Sequence, residues 1–333
     1  MAETAVTVVG GGAIGGITAA YLARRGLDVL VVDPWQEHVQ AMRGGLKVEG
    51  CRGSFIAPIK AITPEELAGP LDLVLLAVKS MHTEPVLRQL LPLLQVNSTI
   101  VSLQNSINED LIAGIIGVER TVGCVVGWGA ITAGPGRLIQ VSPGEFVVGK
   151  LTGFSDRRLE MVRELLIEVA DCIVTGNIYG FLWAKLLANC AISVGALQGK
   201  IVAEMVDLPE AREVVTAVVG EVLAVAGKMN IVLETVNLKF EPEQYRNQAD
   251  LIAGTLLNIL KNSHGDIMPT AYQDLIQGKP LETEYINGYI ANRGKELGIP
   301  TPTNRALVAM VHEIEQGKRR VGVENICELK KRL

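Results

Sequence analysis

Val8–Gly16, VVGGGAIGG, decides how the first half of this chain is read. It follows Thr4–Val9, a short apolar run with β-branched residues that reads as a buried strand. It opens AIGGITAAYLARRG, whose apolar spacing is helical and which stops at Gly26, suited to the left-handed turn after a helix. DVLVVD (28–33) then reads as a second strand. Strand, glycine turn, helix and strand within about 30 residues make a βαβ unit with parallel strands.

Gly10, Gly12 and Gly15 fall in the spacing G-x-G-x-x-G. The first glycine allows the tight turn, the second lets a pyrophosphate approach the backbone, and the third lets helix and strand pack closely. The amides of Ala13 and Ile14, at the positive end of the helix dipole, then face the phosphates. The fingerprint is weak alone; a preceding strand and a following helix are the context that confirms it. The competing reading is a structural turn with surplus glycine. Of the two glycines outside the fingerprint, Gly11 is expected to let the loop hug the pyrophosphate. Gly16 is expected to admit close packing or a substrate group.

Asp33 ends the second strand, eighteen positions after Gly15. An acid there accepts hydrogen bonds from both adenosine ribose hydroxyls and repels a 2′-phosphate. Pro34 and Trp35 follow, with no arginine to pair with that phosphate, so NAD(H) is favoured and NADP(H) is the alternative. Asp33 also reads as a helix N-cap before PWQEHVQAM, with Pro34 at the first helical position.

Strands and helices continue to alternate: DLVLLAVK (72–79), a helix over Pro85–Leu94, and STIVSLQN (98–105). This predicts an α/β, Rossmann-type N-terminal domain with a parallel sheet. TVGCVVGWGAIT (121–132), GRLIQVS (136–142) and EFVVGK (145–150) read as antiparallel strands extending that sheet. A helix over Arg157–Val169 and a last short strand, Cys172–Gly176, close it. Beyond Asn177 strand signals nearly vanish. Helices are expected over Tyr179–Leu197, Pro209–Met229, Glu241–Lys261, Thr283–Leu297 and Thr303–Glu315. The expected domains are residues 1–177, dinucleotide-binding, and 178–333, an all-α substrate and catalytic domain.

The chain has 333 residues and a formal net charge of −5, which gives no basic footprint for nucleic acid. Its five cysteines are scattered and form no CxxC pair, so neither a metal site nor a disulfide framework is expected. Reduced thiols and an acidic N-terminus without a basic signal region fit a cytoplasmic protein. Ala184–Leu197 is apolar but interrupted by Lys185 and Asn189 and too short to span a bilayer, so no membrane partner is expected.

The helix YGFLWAKLLANCAISVGALQG (179–199) is apolar almost all round and should be buried. Yet Lys185, Asn189 and Ser193 stand at i, i+4 and i+8 on one face. A buried lysine is costly without a partner, so the stripe either pairs internally or lines a cleft. In PTAYQDLIQGKPLETEYINGYI (269–290), Thr270 and Asp274 are an i, i+4 pair, and Glu282 and Glu284 flank a helix start, where acids are favoured in any case.

With these motifs the sequence resembles the ketopantoate reductase family over nearly its whole length. The resemblance rests on GGGAIGG, AVK (77–79), LQN (103–105), WAKLLANC (183–190) and QDLIQGKPLETEYINGYI (273–290). It implies hydride transfer between a nicotinamide cofactor and a 2-keto acid, held in a cleft between the domains. Lys185 then matches the catalytic lysine and Glu282, by its offset from YING, the substrate-side glutamate; Glu284 does not. Asn189 matches a catalytic-face asparagine, Asn105 one that touches cofactor and substrate, and Lys79 a cofactor-side lysine. Ser193 stands where a second asparagine is usual, and Thr270 where a substrate-binding serine is usual. Leu281 replaces a threonine, Ser106 the glycine of QNG, His82 the glutamine of K-x-x-Q, and Pro34 an arginine found in many members. His82, a lone histidine at a helix start, reads as a surface residue. The resemblance also implies a homodimer, with Ala211–Gly227 as either core or interface. Two other readings are a D-2-hydroxyacid dehydrogenase for branched or aromatic 2-keto acids, and a nucleotide-binding sensor without turnover.

Overall fold

The computed structural model describes residues 6–199, 201–235, 242–264, 270–276 and 278–333. The chain forms two compact units, Met1–Ile178 and Tyr179–Leu333.

The first unit begins β1 (Val6–Val9), α1 (Ala13–Arg24), β2 (Val29–Val32), α2 (Gln36–Arg43), β3 (Leu46–Gly50), β4 (Phe55–Ala57) and β5 (Lys60–Ile62). It continues β6 (Leu71–Leu76), α3 (Thr83–Leu90), β7 (Leu94–Ser102), α4 (Glu109–Ile116) and β8 (Thr121–Val126). It ends β9 (Ala130–Gly134), β10 (Arg137–Gln140), β11 (Phe146–Lys150), α5 (Arg157–Leu166) and β12 (Cys172–Val174).

Eight strands form one sheet in the order β12-β11-β8-β7-β6-β1-β2-β5. Pairs from β5 across to β8 are all parallel. β11 is antiparallel to β8, and β12 runs parallel to β11, so the antiparallel extension expected from sequence exists. Successive residues bury on opposite faces. Val6, Val8, Leu73, Leu75 and Val101 join one core, while Val9, Val74, Leu76 and Ile100 join the other. Burial on both faces is why these strands read as unbroken apolar runs rather than alternating ones. Chain order reverses at β1, which places the loops after β1 and β6 side by side at a topological switch point.

The expectation that 121–150 only extends this sheet needs correction. β9 and β10 belong to a separate four-stranded sheet, β4-β3-β10-β9, in which β10 runs parallel to β3. Its inward residues Leu46, Val48 and Leu138 share the core that Ile17 and Leu22 of α1 enter, so the small sheet caps that face. α2 also starts later than expected. Trp35, not Asp33, is its N-cap residue, and Pro34 lies outside the helix.

The second unit is helical: α6 (Ile178–Ser193), α7 (Val202–Val206), α8 (Pro209–Lys228), α9 (Ala249–His264), α10 (Thr270–Ile276), α11 (Thr283–Leu297), α12 (Pro302–Glu315) and α13 (Val323–Lys330). α4, α7, α10 and α13 carried no decisive sequence signal. Val214, Val215, Val218, Val219, Val222 and Val225 of α8 are all fully buried, so this helix is core. α6 continues as a tight turn to Leu197, and Ile178–Leu197 is long and apolar enough to cross a bilayer by length and composition alone. Length therefore does not exclude a span, as the sequence reading supposed. Its burial, 72% over the most apolar window, is that of a core helix.

A buried polar chain ties four of these helices. Asn287 Nδ2 of α11 donates to Asn304 Oδ1 of α12 at 2.8 Å and to the Cys190 carbonyl of α6 at 3.3 Å. Asn304 Nδ2 donates in turn to Glu221 Oε2 of α8 at 2.7 Å. The Glu221 carboxylate also accepts from the amides of Thr303 and Asn304, at 2.7 and 2.9 Å, at the start of α12. Charge-assisted bonds at a helix N-terminus are the strong kind, and they fix α6 and α11 in register against α8.

Candidate active site

The glycine loop is shaped by what lies beneath it. Gly10 has φ 100°, and a Cβ there would sit 2.8 Å from the backbone of Ala77 and Val78 after β6. A Cβ on Gly15 would stand 2.0 Å from the Gly10 carbonyl oxygen and 2.8 Å from Ala77 Cβ. Gly12 differs: a Cβ there would meet nothing within 4 Å. Gly12 is the N-cap of α1 and has no side chain to cover the first amides, Ala13 and Ile14 among them. Open space over bare helix-start N–H groups is the cradle a pyrophosphate requires.

Gly11 does not face that space, contrary to expectation. Its amide donates to Asp33 Oδ2 at 2.7 Å, and its carbonyl lies 2.8 Å from His38 Nε2. Its Cβ position is filled by Val31 Cγ1 and Met42 Cε. Gly16 is a packing glycine, with Leu138 Cδ1 and the Gly11 carbonyl oxygen both 2.5 Å from a Cβ there.

Asp33 is half-buried at the end of β2. Besides holding Gly11, its Oδ1 accepts from the Trp35 amide at 2.9 Å. This is a turn within the loop, and it replaces the helix-cap reading. Each carboxylate oxygen keeps lone-pair capacity for a further donor.

The loops after β6 and β7 are joined by buried polar side chains that sequence reading missed. Gln104 Nε2 donates to the Val78 carbonyl at 2.8 Å and to Thr83 Oγ1 at 2.7 Å. Thr83 Oγ1 donates to Asn108 Oδ1 at 3.1 Å, and Asn108 Nδ2 donates to the Asn105 carbonyl at 2.7 Å. The exposed Asn105 side chain is thus presented by a fixed backbone, and the half-buried Lys79 precedes the tight turn Ser80–His82. Ser106 adopts φ 69°, so it holds the left-handed conformation a glycine would adopt freely, at a cost of roughly 1 kcal/mol. His82 is exposed.

Glu109, the first residue of α4, is completely buried, and neither carboxylate oxygen has a hydrogen-bond partner. Burial pushes this carboxyl from an ordinary 4.5 up to about 7. Its own amide, the Ser102 hydroxyl and the Asn108 amide pull the other way, and the charge of Asp110 adds to the rise. None of those donors reaches hydrogen-bond geometry, so burial dominates. Nothing local in the sequence marks this acid; only packing reveals it.

In the second unit α6 is buried along nearly all of its length; apart from Tyr179 in its first turn, its incompletely buried residues are Phe181, Lys185, Asn189 and Ile192, which share one face. Lys185 and Asn189 therefore share an accessible stripe. Ser193 does not join it: the residue is buried, and its hydroxyl donates to the Asn189 carbonyl at 2.9 Å. Glu282 is half-buried at the N-cap of α11, and its carboxylate makes no capping bond. Glu284 is exposed and lies 3.4 Å from His312 Nε2 of α12, so the two glutamates have different surroundings. The Thr270 side chain lies outside the described residues. No cluster of metal-ligating side chains occurs among the described residues.

A bare glycine cradle at a switch point and an acid at the end of β2 are the features of a dinucleotide-binding oxidoreductase class, and the helical unit carries an accessible lysine and asparagine. The description "Ketopantoate reductase PanE/ApbA" matches residues 6–153, and "Ketopantoate reductase PanE/ApbA C terminal" matches residues 177–315. The chain belongs to the ketopantoate reductase family, and it is an oxidoreductase of that type. It is 29% identical to a 2-dehydropantoate 2-reductase of Archaeoglobus fulgidus over 94% of this chain and 98% of that one. A solved PanE/ApbA family ketopantoate reductase from Ralstonia eutropha JMP134 superposes with TM-score 0.81 at 27% identity, covering 95% of this chain and 100% of that one. D-mandelate dehydrogenase with NADH and anilino(oxo)acetate shares the fold, with TM-score 0.79, 24% identity and coverage of 94% and 99%. The family match does not favour the 2-hydroxyacid dehydrogenase or sensor readings.

Two outcomes follow from these geometries. Gly12→Ala should leave stability within about 0.5 kcal/mol of wild type. Gly15→Ala should lose roughly 2 kcal/mol or more, because the backbone clash exceeds the gain of about 1 kcal/mol in helix propensity. Urea unfolding of both variants decides it, and equal stabilities would refute the packing account. For Glu109, the folded state holds the proton more tightly than the unfolded chain. Its contribution is full below about pH 4.5 and is lost as pH rises to about 7. Glu109→Gln should flatten that decline and be the more stable protein at pH 8; parallel pH profiles for variant and wild type would contradict the assignment.

Proposed function

We propose that this chain reduces 2-dehydropantoate, or a closely related 2-keto acid, with NADH. The observation that carries the reading is the accessible face of α6, which offers a cation and an amide on a helix otherwise buried. The residues of the glycine loop fit the cofactor: Gly12 leaves room, Ala13 and Ile14 offer amides, and Gly10 and Gly15 keep the loop tight.

When bound, the dihydronicotinamide supplies a hydride to the keto carbon. Negative charge then grows on the carbonyl oxygen. Lys185 donates a hydrogen bond to that oxygen and then its proton, so the alkoxide never stands free. Asn189, one turn along the same face, holds polar groups of the substrate and limits its rotation. Glu282 orients the Lys185 ammonium or accepts from a substrate hydroxyl. Asn105, on its braced loop, would help hold the nicotinamide end of the cofactor and the substrate, and Lys79 would help hold the cofactor. Thr270 is assigned to the substrate. Ser193, which donates its proton to the Asn189 carbonyl, acts only as an acceptor or as a support for Asn189. On this reading residues 1–177 bind dinucleotide and 178–333 bind substrate.

The preference for NADH over NADPH rests on Asp33. Its carboxylate accepts ribose hydroxyls and repels a 2′-phosphate, and neither Pro34 nor Trp35 offers a compensating cation. A cytoplasmic location agrees with five cysteines that form no disulfide. A homodimer agrees with the fold of a dimeric ketopantoate reductase from Staphylococcus aureus, similar at TM-score 0.74 and 20% identity; the valine face of α8 is core and is not its interface.

Lys185→Ala should lower kcat by roughly 10²–10⁴-fold with KM for NADH little changed, the range expected for a lost general acid. Steady-state assays with ketopantoate and a panel of 2-keto acids test it, and wild-type turnover would remove Lys185 from this role. Asp33→Ala loosens Gly11 as well, so both cofactors should weaken; the NADH-to-NADPH preference should nevertheless fall. An unchanged ratio of kcat/KM values would leave Asp33 as a loop brace alone.

A further inference from the structure

Trp35 is a large aromatic left 39% exposed, whereas the other two tryptophans, Trp128 and Trp183, are buried at 4% and 0%. Its surroundings are unusually constrained. Its amide donates to the Asp33 carboxylate, and its ring stacks on His38 with centroids 5.1 Å apart and planes 19° from parallel. His38 is itself immobile: it is buried, its Nδ1 accepts from the Gly136 amide at 2.9 Å, and its Nε2–H therefore donates to the Gly11 carbonyl. Gly11 closes the circuit by donating to Asp33. Backbone, carboxylate, imidazole and indole form one ring of contacts around the end of β2.

We propose that the Trp35 indole, backed by His38, is the stacking surface for the adenine of the dinucleotide. This rests on the reading that Asp33 receives the adenosine ribose. Adenine is bonded to C1′ of that sugar, one atom from the carbon that bears the 2′-hydroxyl. A flat ring rooted two residues from Asp33, and tied to the same carboxylate, is in the right place and of the right chemistry to receive a purine face. Stacking is tolerant of the base but demands an aromatic surface. Because His38 already fixes the indole, little side-chain freedom is lost on binding. The glycine loop and Asp33 select a dinucleotide with a free 2′-hydroxyl; Trp35 adds affinity at the adenine end only.

Fragments of the cofactor separate the ends. ADP-ribose carries the adenosine half, and nicotinamide mononucleotide lacks it. Calorimetric titration should show Trp35→Ala raising Kd for ADP-ribose roughly 5- to 100-fold, the range for a lost base–aromatic stack. Its Kd for nicotinamide mononucleotide should stay within twofold of wild type. Trp35→Phe should retain most of the ADP-ribose affinity. Indole fluorescence of the wild type should fall as ADP-ribose binds, and that response should vanish in Trp35→Phe. An ADP-ribose affinity unchanged in Trp35→Ala, a fluorescence response that persists in Trp35→Phe, or an equal loss for both fragments would overturn the proposal. A wild-type protein that binds neither fragment would overturn the dinucleotide reading itself.

Discussion

The first unit depends on one close approach: the glycine loop lies on the backbone that leaves β6. Gly10 and Gly15 have no room for a methyl group, because the chain at Ala77–Val78 and the loop's own carbonyl occupy it. That contact brings the ends of β1 and β6 together, so the start of α1 and the loop bearing Lys79 open on the same side. Gly12 is exempt from this crowding, which leaves the space that the proposed pyrophosphate contact requires. On the other flank Asp33 holds Gly11, so the residue assigned to the ribose also sets the shape of the loop beside it.

In the second unit the corresponding device is polar. Lys185 lies on α6 and Glu282 at the N-cap of α11, and a polar network ties these two helices together in addition to their apolar packing. Asn287 reaches from α11 to both α6 and α12, and Asn304 passes that connection to Glu221 on α8. A buried polar network of this kind favours one arrangement where many apolar packings would be near-equal in energy, even with Asn287 Oδ1 left without a partner. The asparagine in YING thus belongs to the scaffold of the second unit, five residues past Glu282.

Much of this was legible in the sequence. The βαβ start, the alternation that follows it, the antiparallel extension and the switch to helices all come from local patterns, which packing reinforces. The small sheet was not legible. LKVEG and RLIQ are short and half-polar, and β3 finds its parallel partner β10 some 90 positions away, a pairing that no local pattern encodes. The stripe of Lys185 and Asn189 was visible from helical spacing; Ser193 has the same spacing but turns its hydroxyl back onto the helix. Glu109 and His38 were hidden for a different reason. An acid at a helix start and a histidine on an amphipathic helix are ordinary surface patterns, and their burial is decided by elements distant in sequence. Ser106 reads as a departure from the family pattern, yet the backbone keeps the left-handed turn.

A crystal structure of the protein with bound NADH tests the account most directly. The prediction is a pyrophosphate over Gly12, bonded to the first amides of α1, with the adenosine ribose hydroxyls within about 3 Å of the Asp33 carboxylate. Nucleotide density away from the glycine loop, or an Asp33 that bonds only Gly11 and Trp35 while the ribose lies elsewhere, would contradict it.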